Sequence, residues 1–222
     1  MLASVKSSAR ENGSGILGDR LIGAFDTGLR CVTGVAAAAR PSPAQKVPEA
    51  VLDERERRCS IALMRVNHAG EVAAQALYQG QALFARSEAT RAALKRAGRE
   101  ELDHLVWTRE RVEALGGRTS LLDPLWYAGA FALGAAAAAL GDGASLAFLK
   151  ETEEQVEAHL KRHLERLPAA DTPSRAIVEQ MKIDEAQHAR TAERLGAQPV
   201  PWFVRVAMRA SATVMTTLAA RI

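Results

Sequence analysis

Two short stretches of the sequence place a glutamate three residues before a histidine. Glu101 and His104 lie in REELDHLVW (residues 99–107), and Glu185 and His188 lie in KIDEAQHAR (residues 182–190). On an α-helix, residues three apart are about 60° apart around the axis and about 4.5 Å apart along it, so such a pair can bind one metal ion. Composition alone produces two such pairs at a frequency of roughly 6%. The pairs therefore indicate a metal site but need support from other residues.

Two further glutamates precede the pairs at nearly equal distances. Glu71 lies 30 residues before Glu101, and Glu153 lies 32 residues before Glu185. Two antiparallel helices of about twenty to twenty-five residues, joined by a turn, bring such positions level. Two hairpins packed together would place four carboxylates and two imidazoles around one centre. This is the arrangement of ferritin-like carboxylate-bridged dimetal proteins.

Charge and ligand type indicate which metal this centre would hold. Two divalent cations would bring four positive charges to four carboxylates, and buried charges are tolerated only when they are compensated. Carboxylate with imidazole suits iron or manganese, whereas structural zinc sites usually contain thiolates. Because zinc has no redox chemistry, iron is the better candidate if the protein activates oxygen. The predicted ligands are Glu71, Glu101, His104, Glu153, Glu185 and His188.

Acidic neighbours of these residues leave alternatives open. Glu154 and Glu157 could replace Glu153 as a ligand, although Glu153 fits the hairpin spacing better. Asp184 directly precedes Glu185, and it either hydrogen-bonds a ligand imidazole or is solvated.

Aromatic neighbours raise similar alternatives. Tyr78 lies two turns after Glu71 on the same helix face, so it either lines the cavity or is an ordinary core tyrosine. His68 is expected to be a structural histidine rather than a seventh ligand. His159 and His163 lie one turn apart, and we do not expect both to be functional.

The elements that would position these residues are helices. Residues that favour helix dominate the composition, and runs of β-branched residues are nearly absent. The sequence therefore predicts an all-α protein, with a ferritin-like four-helix bundle of two helical hairpins and additional amphipathic or interfacial helices. The predicted bundle helices cover residues 53–87, 87–115, 143–167 and 174–196, and the additional helices cover residues 16–35, 124–141 and 203–221.

A proline-containing segment divides the chain. The stretch AAAARPSPAQKVPEA (residues 36–50) contains three prolines and predicts a linker. Residues 1–50 are therefore predicted to be an N-terminal extension with a short helix, and residues 51–222 to be the ferritin-like domain.

Two segments in the second half of the chain are suited to a membrane surface. Residues 124–141 carry no charge over 18 positions, which is at the edge of membrane-spanning length. Their glycines and alanines make them weakly hydrophobic, so a buried or interfacial helix is favoured. After His188 the only acidic residue is Glu193, against five arginines, and such a basic, apolar end suits anionic lipid. The net charge of +3 and the scattered basic residues argue against nucleic acid as a partner.

Four blocks of the sequence resemble the demethoxyubiquinone hydroxylases of ubiquinone biosynthesis. The blocks are VNHAGEVAAQALYQGQ, EELDHL, DPLWYAGAFALGA and EEQVEAHL, and the resemblance extends from about residue 60 to the C-terminus. The HAGE and DPLW blocks are specific to that family, whereas Glu-x-x-His is common to ferritin-like proteins.

The resemblance implies a di-iron monooxygenase. Such an enzyme adds one hydroxyl group, from dioxygen, to the ring of a 2-polyprenyl-3-methyl-6-methoxy-1,4-benzoquinol. It implies two iron ions per chain on the same six residues, and it favours Glu153 over Glu154. His159 matches a histidine that lies near the site in the family. Leu160 stands where the mitochondrial members have a tyrosine, so this chain departs from them there.

The resemblance also implies a location and partners. The apolar tail of the quinol would keep the substrate in a bilayer, so the expected location is peripheral, on the cytoplasmic face of a bacterial cell membrane. The matrix side of the mitochondrial inner membrane is the alternative. The expected partners are the quinol, dioxygen and the membrane surface, with a homo-oligomer or other ubiquinone-biosynthesis proteins as further candidates.

Two other functions remain open from the sequence. A ferritin-like or rubrerythrin-like protein that stores iron or removes peroxide would use the same six ligands but would need no membrane face. A helical membrane-associated scaffold would bind no metal.

Overall fold

The computed structural model describes residues 22–23, 26–49 and 51–222, and within these ranges the chain forms helices and no strand. The predicted all-α class is confirmed. A 3-10 turn, Pro43–Lys46, precedes six long helices. They are α1 (Glu54–Phe84), α2 (Glu88–Ala114), α3 (Asp123–Ala139), α4 (Asp142–Arg166), α5 (Thr172–Arg194) and α6 (Trp202–Ala219). Residues 26–33 are also helical, and the part of the predicted first helix before residue 22 lies outside the described residues.

Local capping sets the helix boundaries. At the start of α1, Asp53 Oδ1 accepts a hydrogen bond from the Glu56 amide at 2.8 Å, and Glu56 Oε2 accepts one from the Asp53 amide at 3.1 Å. This capping box satisfies two amide groups that the helix itself leaves free. Gly116 and Gly196 lie two residues after the ends of α2 and α5, and their φ angles of 78° and 96° favour glycine.

The first hairpin turn comes slightly earlier than the sequence predicts. α1 ends at Phe84 rather than near residue 87, because residues 85–87 form the connection to α2. Asp142, at the start of α4, accepts hydrogen bonds from the amides of Arg86 at 2.8 Å and Ser87 at 2.7 Å. The start of the second hairpin, α4–α5, therefore fixes the turn between α1 and α2.

The hairpins α1–α2 and α4–α5 pack together as the predicted four-helix bundle. Two clusters of buried apolar side chains fill it, and both receive residues from all four helices. One cluster includes Leu63, Met64, Trp107, Leu160, Ile177 and Met181. The other includes Tyr78, Leu94, Leu146, Leu149 and Ala192. Between these clusters the bundle core is polar.

The polar layer keeps the spacing of the apolar core. On α1, Glu71 lies seven residues after Met64 and seven before Tyr78. On α4, Glu153 lies seven residues after Leu146 and seven before Leu160. Seven residues are close to two helical turns, so residues at this spacing lie on one face. The two glutamates therefore occupy core positions that would otherwise hold apolar side chains.

α3 lies against α1 at an unusually close approach. Gly80 of α1 and Gly134 of α3 make this possible, because a Cβ at Gly80 would collide with the carbonyl oxygen of Phe131. A Cβ at Gly134 would likewise collide with the carbonyl oxygen of Leu77. The absence of side chains lets the two backbones meet.

Residues 26–49 run along the bundle. Cys31 is buried with Val72 of α1 and Leu105 of α2. Further along, Glu49 forms a salt bridge with Arg111 at 2.7 Å, and the Pro48 carbonyl accepts a hydrogen bond from the Thr172 hydroxyl at 3.0 Å. The described part of the extension therefore packs on the bundle. The domain boundary at residue 50 stays a prediction.

α3 and α6 leave large apolar side chains in solvent. Leu125 of α3 and Trp202 of α6 are 61% and 75% exposed. Other exposed apolar residues of the two helices are Leu133, Leu140, Phe203, Val206 and Val214. No helix within the described ranges is long and apolar enough to cross a membrane.

The glycine contact between α1 and α3 gives a test of this packing. We expect Gly134→Ala to lower the free energy of unfolding by about 1–3 kcal/mol, because the new methyl group pushes the helices apart. Gly129→Ala is the matched control on the same helix, since a Cβ at Gly129 meets no atom within 4 Å. It should raise stability by up to about 1 kcal/mol. Denaturant unfolding measures both, and equal effects would contradict the close approach.

Candidate metal centre

The six predicted ligands lie together in the middle of the bundle. α1 and α4 each provide one glutamate, and α2 and α5 each provide a Glu-x-x-His pair. All six side chains are buried. They form two groups of four, and the ligand atoms of each group lie within 4.8 Å of one another. Glu71 and His104 belong to one group, Glu153 and His188 belong to the other, and Glu101 and Glu185 belong to both.

The two shared carboxylates lie between the imidazoles. His104 Nδ1 is 3.3 Å from Glu101 Oε2 and 3.4 Å from Glu185 Oε1. His188 Nδ1 is 3.0 Å from Glu101 Oε1 and 3.3 Å from Glu185 Oε2. Each imidazole therefore points Nδ1 inward, and each shared carboxylate offers one oxygen to each side. This geometry is suited to two metal positions bridged by Glu101 and Glu185.

The outward nitrogens of the imidazoles also contact carboxylates. His104 Nε2 is 2.9 Å from Asp184 Oδ2, and His188 Nε2 is 2.8 Å from Glu100 Oε2. A proton on Nε2 that is donated to these acids leaves Nδ1 free to bind a metal. Asp184 is thus bonded to an imidazole and is not solvated.

The contact between Glu100 and His188 is not among the sequence predictions. The signal was present, because Glu100 precedes Glu101 in EELDH as Asp184 precedes Glu185 in DEAQH. Glu100 and Asp184 each form a hydrogen bond with the histidine of the opposite hairpin.

The electrostatics of the cluster fit two divalent cations. Burial, reinforced by the negative charges of Glu101 and Glu185, raises the pKa of Glu71 and that of Glu153 well above the usual value of a carboxyl group. Burial opposes a charged imidazole, yet hydrogen bonds with the surrounding carboxylates raise the pKa of His188 well above its ordinary range. Protons therefore compensate the crowded negative charge when no metal does so.

One buried oxygen atom shows that the cluster fits a cation. Glu71 Oε2 is buried and accepts no hydrogen bond from any described residue. The nearest basic atom, His104 Nδ1, is 3.6 Å away. A buried carboxylate oxygen without a partner is costly. The donor set, with four carboxylates and two imidazoles and no thiolate, fits a pair of iron or manganese ions.

Tyr78 lies at the edge of the cluster. Its hydroxyl group donates a hydrogen bond to Glu153 Oε1 at 2.5 Å, and its ring packs edge-on against His188 with centroids 6.1 Å apart. Burial and the neighbouring carboxylates raise the pKa of Tyr78 well above its usual value, so the phenol keeps its proton. Tyr78 is thus both a core residue and a hydrogen-bond donor to Glu153.

The acidic alternatives to Glu153 lie elsewhere. Glu154 is exposed and forms a salt bridge with Lys150 at 2.8 Å. Glu157 is half-buried and belongs to neither group of four. Of the three glutamates, Glu153 is the one that lies in the cluster, as the hairpin spacing predicts.

His159 is not brought to the cluster. It lies six residues after Glu153, which places it about 9 Å further along α4 and about 120° around it. Its ring packs against His163, with centroids 3.9 Å apart. Burial and the nearby positive charges of Arg162 and Arg166 lower the pKa of His159 to about 4.

His68 also lies outside both groups. Its Nδ1 is 3.2 Å from the carbonyl oxygen of Leu105 and 3.3 Å from the hydroxyl oxygen of Thr108. It joins α1 to α2.

A small cavity reaches one side of the cluster. Its volume is about 50 Å³, and it lies between α2, α4 and α5. It extends to Tyr78 and His188, with Glu100 in its wall, and the apolar side chains of Leu94, Leu146 and Leu149 also line it. The cavity borders His188.

Comparison with known proteins identifies the family. Residues 58–219 match the family described as ubiquinone biosynthesis protein COQ7. The chain belongs to the COQ7 family. It is 60% identical over 201 residues to the 3-demethoxyubiquinol 3-hydroxylase of Janthinobacterium sp. (strain Marseille), which covers 90% of this chain and 97% of that protein. It is 55% identical over 204 residues to the protein of the same name from Azoarcus sp. (strain BH72), covering 92% and 99% of the two chains.

A solved structure supports the ferritin-like fold of this COQ7 family member. The dodecameric thioferritin from Bacteroides fragilis, a bacterioferritin-related protein, superposes with a TM-score of 0.53. The match covers 70% of this chain and 90% of that chain at 15% sequence identity. At this identity the likeness shows the fold alone, and the predicted ferritin-like bundle is confirmed.

Metal titration tests the ligand role of Glu153 against its neighbour. We expect the metal-free protein to bind two Fe²⁺ ions per chain and Glu153→Gln to bind fewer, because that variant removes one of four charged ligands. Glu154→Gln, one position away on the surface, should still bind two. Anaerobic titration followed by iron analysis measures the stoichiometry. Loss of iron from the Glu154 variant alone would refute the assignment.

Proposed function

We propose that this chain is a 3-demethoxyubiquinol 3-hydroxylase that holds two iron ions on Glu71, Glu101, His104, Glu153, Glu185 and His188. It would add one oxygen atom from dioxygen to the ring of a polyprenyl benzoquinol in ubiquinone biosynthesis. The proposal depends above all on the buried cluster of four carboxylates and two imidazoles. This cluster lies in a chain that matches named 3-demethoxyubiquinol 3-hydroxylases over nearly their whole length.

Iron supplies the redox chemistry that dioxygen needs, which zinc cannot. The role of the chain is to hold that chemistry in place. Glu101 and Glu185 would offer oxygens to both metal positions. Asp184 and Glu100 accept the outward imidazole protons and thereby keep Nδ1 of each histidine directed inward.

The surroundings of the cluster control water and protons. Apolar side chains pack on both sides of the polar layer, so few water molecules have access to it. A low local dielectric strengthens the electrostatic interactions inside. The Tyr78 hydroxyl group donates a hydrogen bond to Glu153, so it orients that carboxylate.

The cavity beside His188, about 50 Å³ in volume, is large enough for a small molecule such as dioxygen. The bulkier quinol ring would reach the cluster by a separation of helices. The apolar channel towards lipid that such a substrate needs would open next to α3 or α6, the two helices with exposed apolar side chains.

A membrane surface is the proposed partner of α3 and α6. The two helices meet where Trp126 of α3 packs near Ala219 of α6, and where the Leu121 amide donates a hydrogen bond to the Ile222 carbonyl at 3.2 Å. A group of exposed apolar side chains of this kind often marks a surface that binds a membrane or another protein. The arginines of the C-terminal segment would add attraction to anionic lipid.

The corresponding location is the cytoplasmic face of a bacterial cell membrane, and the relatives named above are bacterial. The mitochondrial inner membrane stays the alternative. Other ubiquinone-biosynthesis proteins or further copies of the chain stay predicted partners.

Turnover under labelled dioxygen separates this function from iron storage or peroxide removal. We expect the reduced, iron-loaded protein to place one labelled oxygen atom in a demethoxyubiquinol analogue, read by mass spectrometry. Glu153→Gln should lower the rate at least about 100-fold, since it removes a ligand, while Glu154→Gln should stay near the wild-type rate. Two bound irons without labelled product would support the storage or peroxide-removing alternative.

Vesicle binding tests the proposed membrane surface. Replacing Leu125 and Leu133, or Trp202 and Phe203, with glutamate should weaken binding to anionic vesicles at least about tenfold, because buried apolar area is lost and like charge is added. Val51→Glu is the control, since Val51 is 98% exposed at the start of the bundle and lies outside this surface. Variants of both helices that sediment with vesicles like the wild type would contradict the surface.

A further inference from the structure

The two halves of the metal centre have the same outer arrangement but different surroundings. Asp184 and Glu100 each hold the outward nitrogen of one histidine. The Asp184 side chain is 9% exposed, whereas that of Glu100 is 33% exposed. Asp184 also accepts hydrogen bonds from Gln180 at 2.9 Å and from Arg40 Nη1 at 3.0 Å. Glu100 forms no salt bridge with a lysine or arginine among the residues that the structure describes.

Arg40 comes from the segment before the bundle and is held from several sides. Its Nε donates to Asp103 Oδ2 at 2.6 Å. The Ala39 amide donates to Asp103 Oδ1 at 2.6 Å, and the Arg40 carbonyl accepts from Trp107 Nε1 at 3.2 Å. These bonds fix the backbone of the segment against α2. The guanidinium group therefore lies between Asp103 and Asp184.

The same side chain completes an enclosure around His104. The guanidinium carbon of Arg40 lies 4.9 Å from the centroid of the Trp107 ring, and that ring lies 5.4 Å from the ring of His104. His104 is fully buried. His188, in contrast, borders the cavity beside Glu100. One end of the centre is closed by Arg40 and the other is reached by a cavity.

We propose that Arg40 is a positioning residue for one of the two metal positions. It holds Asp184 against His104 and closes that end of the centre, so that the two positions differ in metal exchange. The proposal rests on the proposed function, because it requires the cluster to hold two metal ions.

The chemistry of arginine suits this role. Its planar guanidinium offers several donors in a fixed geometry, so one side chain can bond two carboxylates at once. Without Arg40, Asp103 and Asp184 would both be left as buried carboxylates with a lost partner. Asp184 would then be free to turn away from His104, and its hold on the imidazole would weaken. A lysine has a compact ammonium group without the planar fork, so it would reproduce these two contacts less well.

The test is the rate at which iron leaves the loaded protein. With an excess of an Fe²⁺ chelator under anaerobic conditions, we expect the wild type to lose its two irons in a fast and a slow phase. The slow phase would come from the position at His104. Arg40→Ala should accelerate the slow phase about tenfold or more, the usual scale for outer partners of metal ligands, and leave the fast phase unchanged. Arg40→Lys should give a slow-phase rate between those of the wild type and Arg40→Ala.

Matched variants separate this role from general destabilisation. Arg30→Ala removes an exposed salt bridge to Asp26 in the same segment and should change neither phase. Asp184→Asn keeps a similar shape but loses the charge that bonds Arg40, so it should accelerate the slow phase even if Arg40→Ala fails to fold. Mössbauer spectra of the ⁵⁷Fe-loaded protein give a second readout. Arg40→Ala should alter one of two iron signals.

Each outcome has a distinct meaning. A wild-type protein that binds no iron would refute the proposed function itself. Two bound irons that leave at one common rate, or that both respond equally to Arg40→Ala, would overturn the role of Arg40 and leave the proposed function standing. A selective change in the slow phase and in one iron signal would support it.

Discussion

The structure depends on one constraint, which is that four carboxylates lie buried in two overlapping groups whose ligand atoms are within 4.8 Å of one another. Such a cluster is stable only when positive charge or protons compensate it. The two histidines lie between the carboxylates, and the raised pKa values of Glu71 and Glu153 show how strongly the site favours compensation. The contacts farther out follow from this need. Tyr78 bonds Glu153, while Asp184 and Glu100 fix the histidines.

A four-helix bundle meets this constraint without breaking its own packing rules. The ligands occupy core positions, so the same seven-residue spacing that aligns Leu146 with Leu160 places Glu153 between them. Helices satisfy their own backbone groups, so the only polar atoms that enter the core are those of the side chains. The apolar clusters on both sides stabilise the fold by burial, which opposes the cost of the polar layer. The fold tolerates the polar site because the site is confined to one layer of the core.

The sequence predicted the parts of this design that depend on local periodicity. The Glu-x-x-His pairs and the hairpin spacing gave the fold and assembled the six residues, because helix geometry relates positions along one or two helices. Local periodicity does not predict contacts between distant segments. Arg40 lies 63 positions from Asp103 and 144 from Asp184, so no spacing rule connects them. The prolines of residues 36–50 predict a linker, yet Ala39 and Glu49 form a hydrogen bond and a salt bridge with α2. The family resemblance predicts His159 near the site, but helix rotation places it on another face.

The glycine contact connects the exposed helices to the centre. Gly134 meets the backbone of Leu77, and the next residue on α1 is Tyr78, which bonds Glu153. α3 therefore touches α1 one residue away from a side chain that contacts the cluster. Because glycines rather than large side chains make this contact, α3 lies close to the bundle while its apolar side chains, such as Leu125 and Leu133, remain exposed. On the proposed membrane surface, α3 and α1 would lie between a bound polyprenyl quinol and the carboxylates, and the close approach of their backbones would keep that distance short.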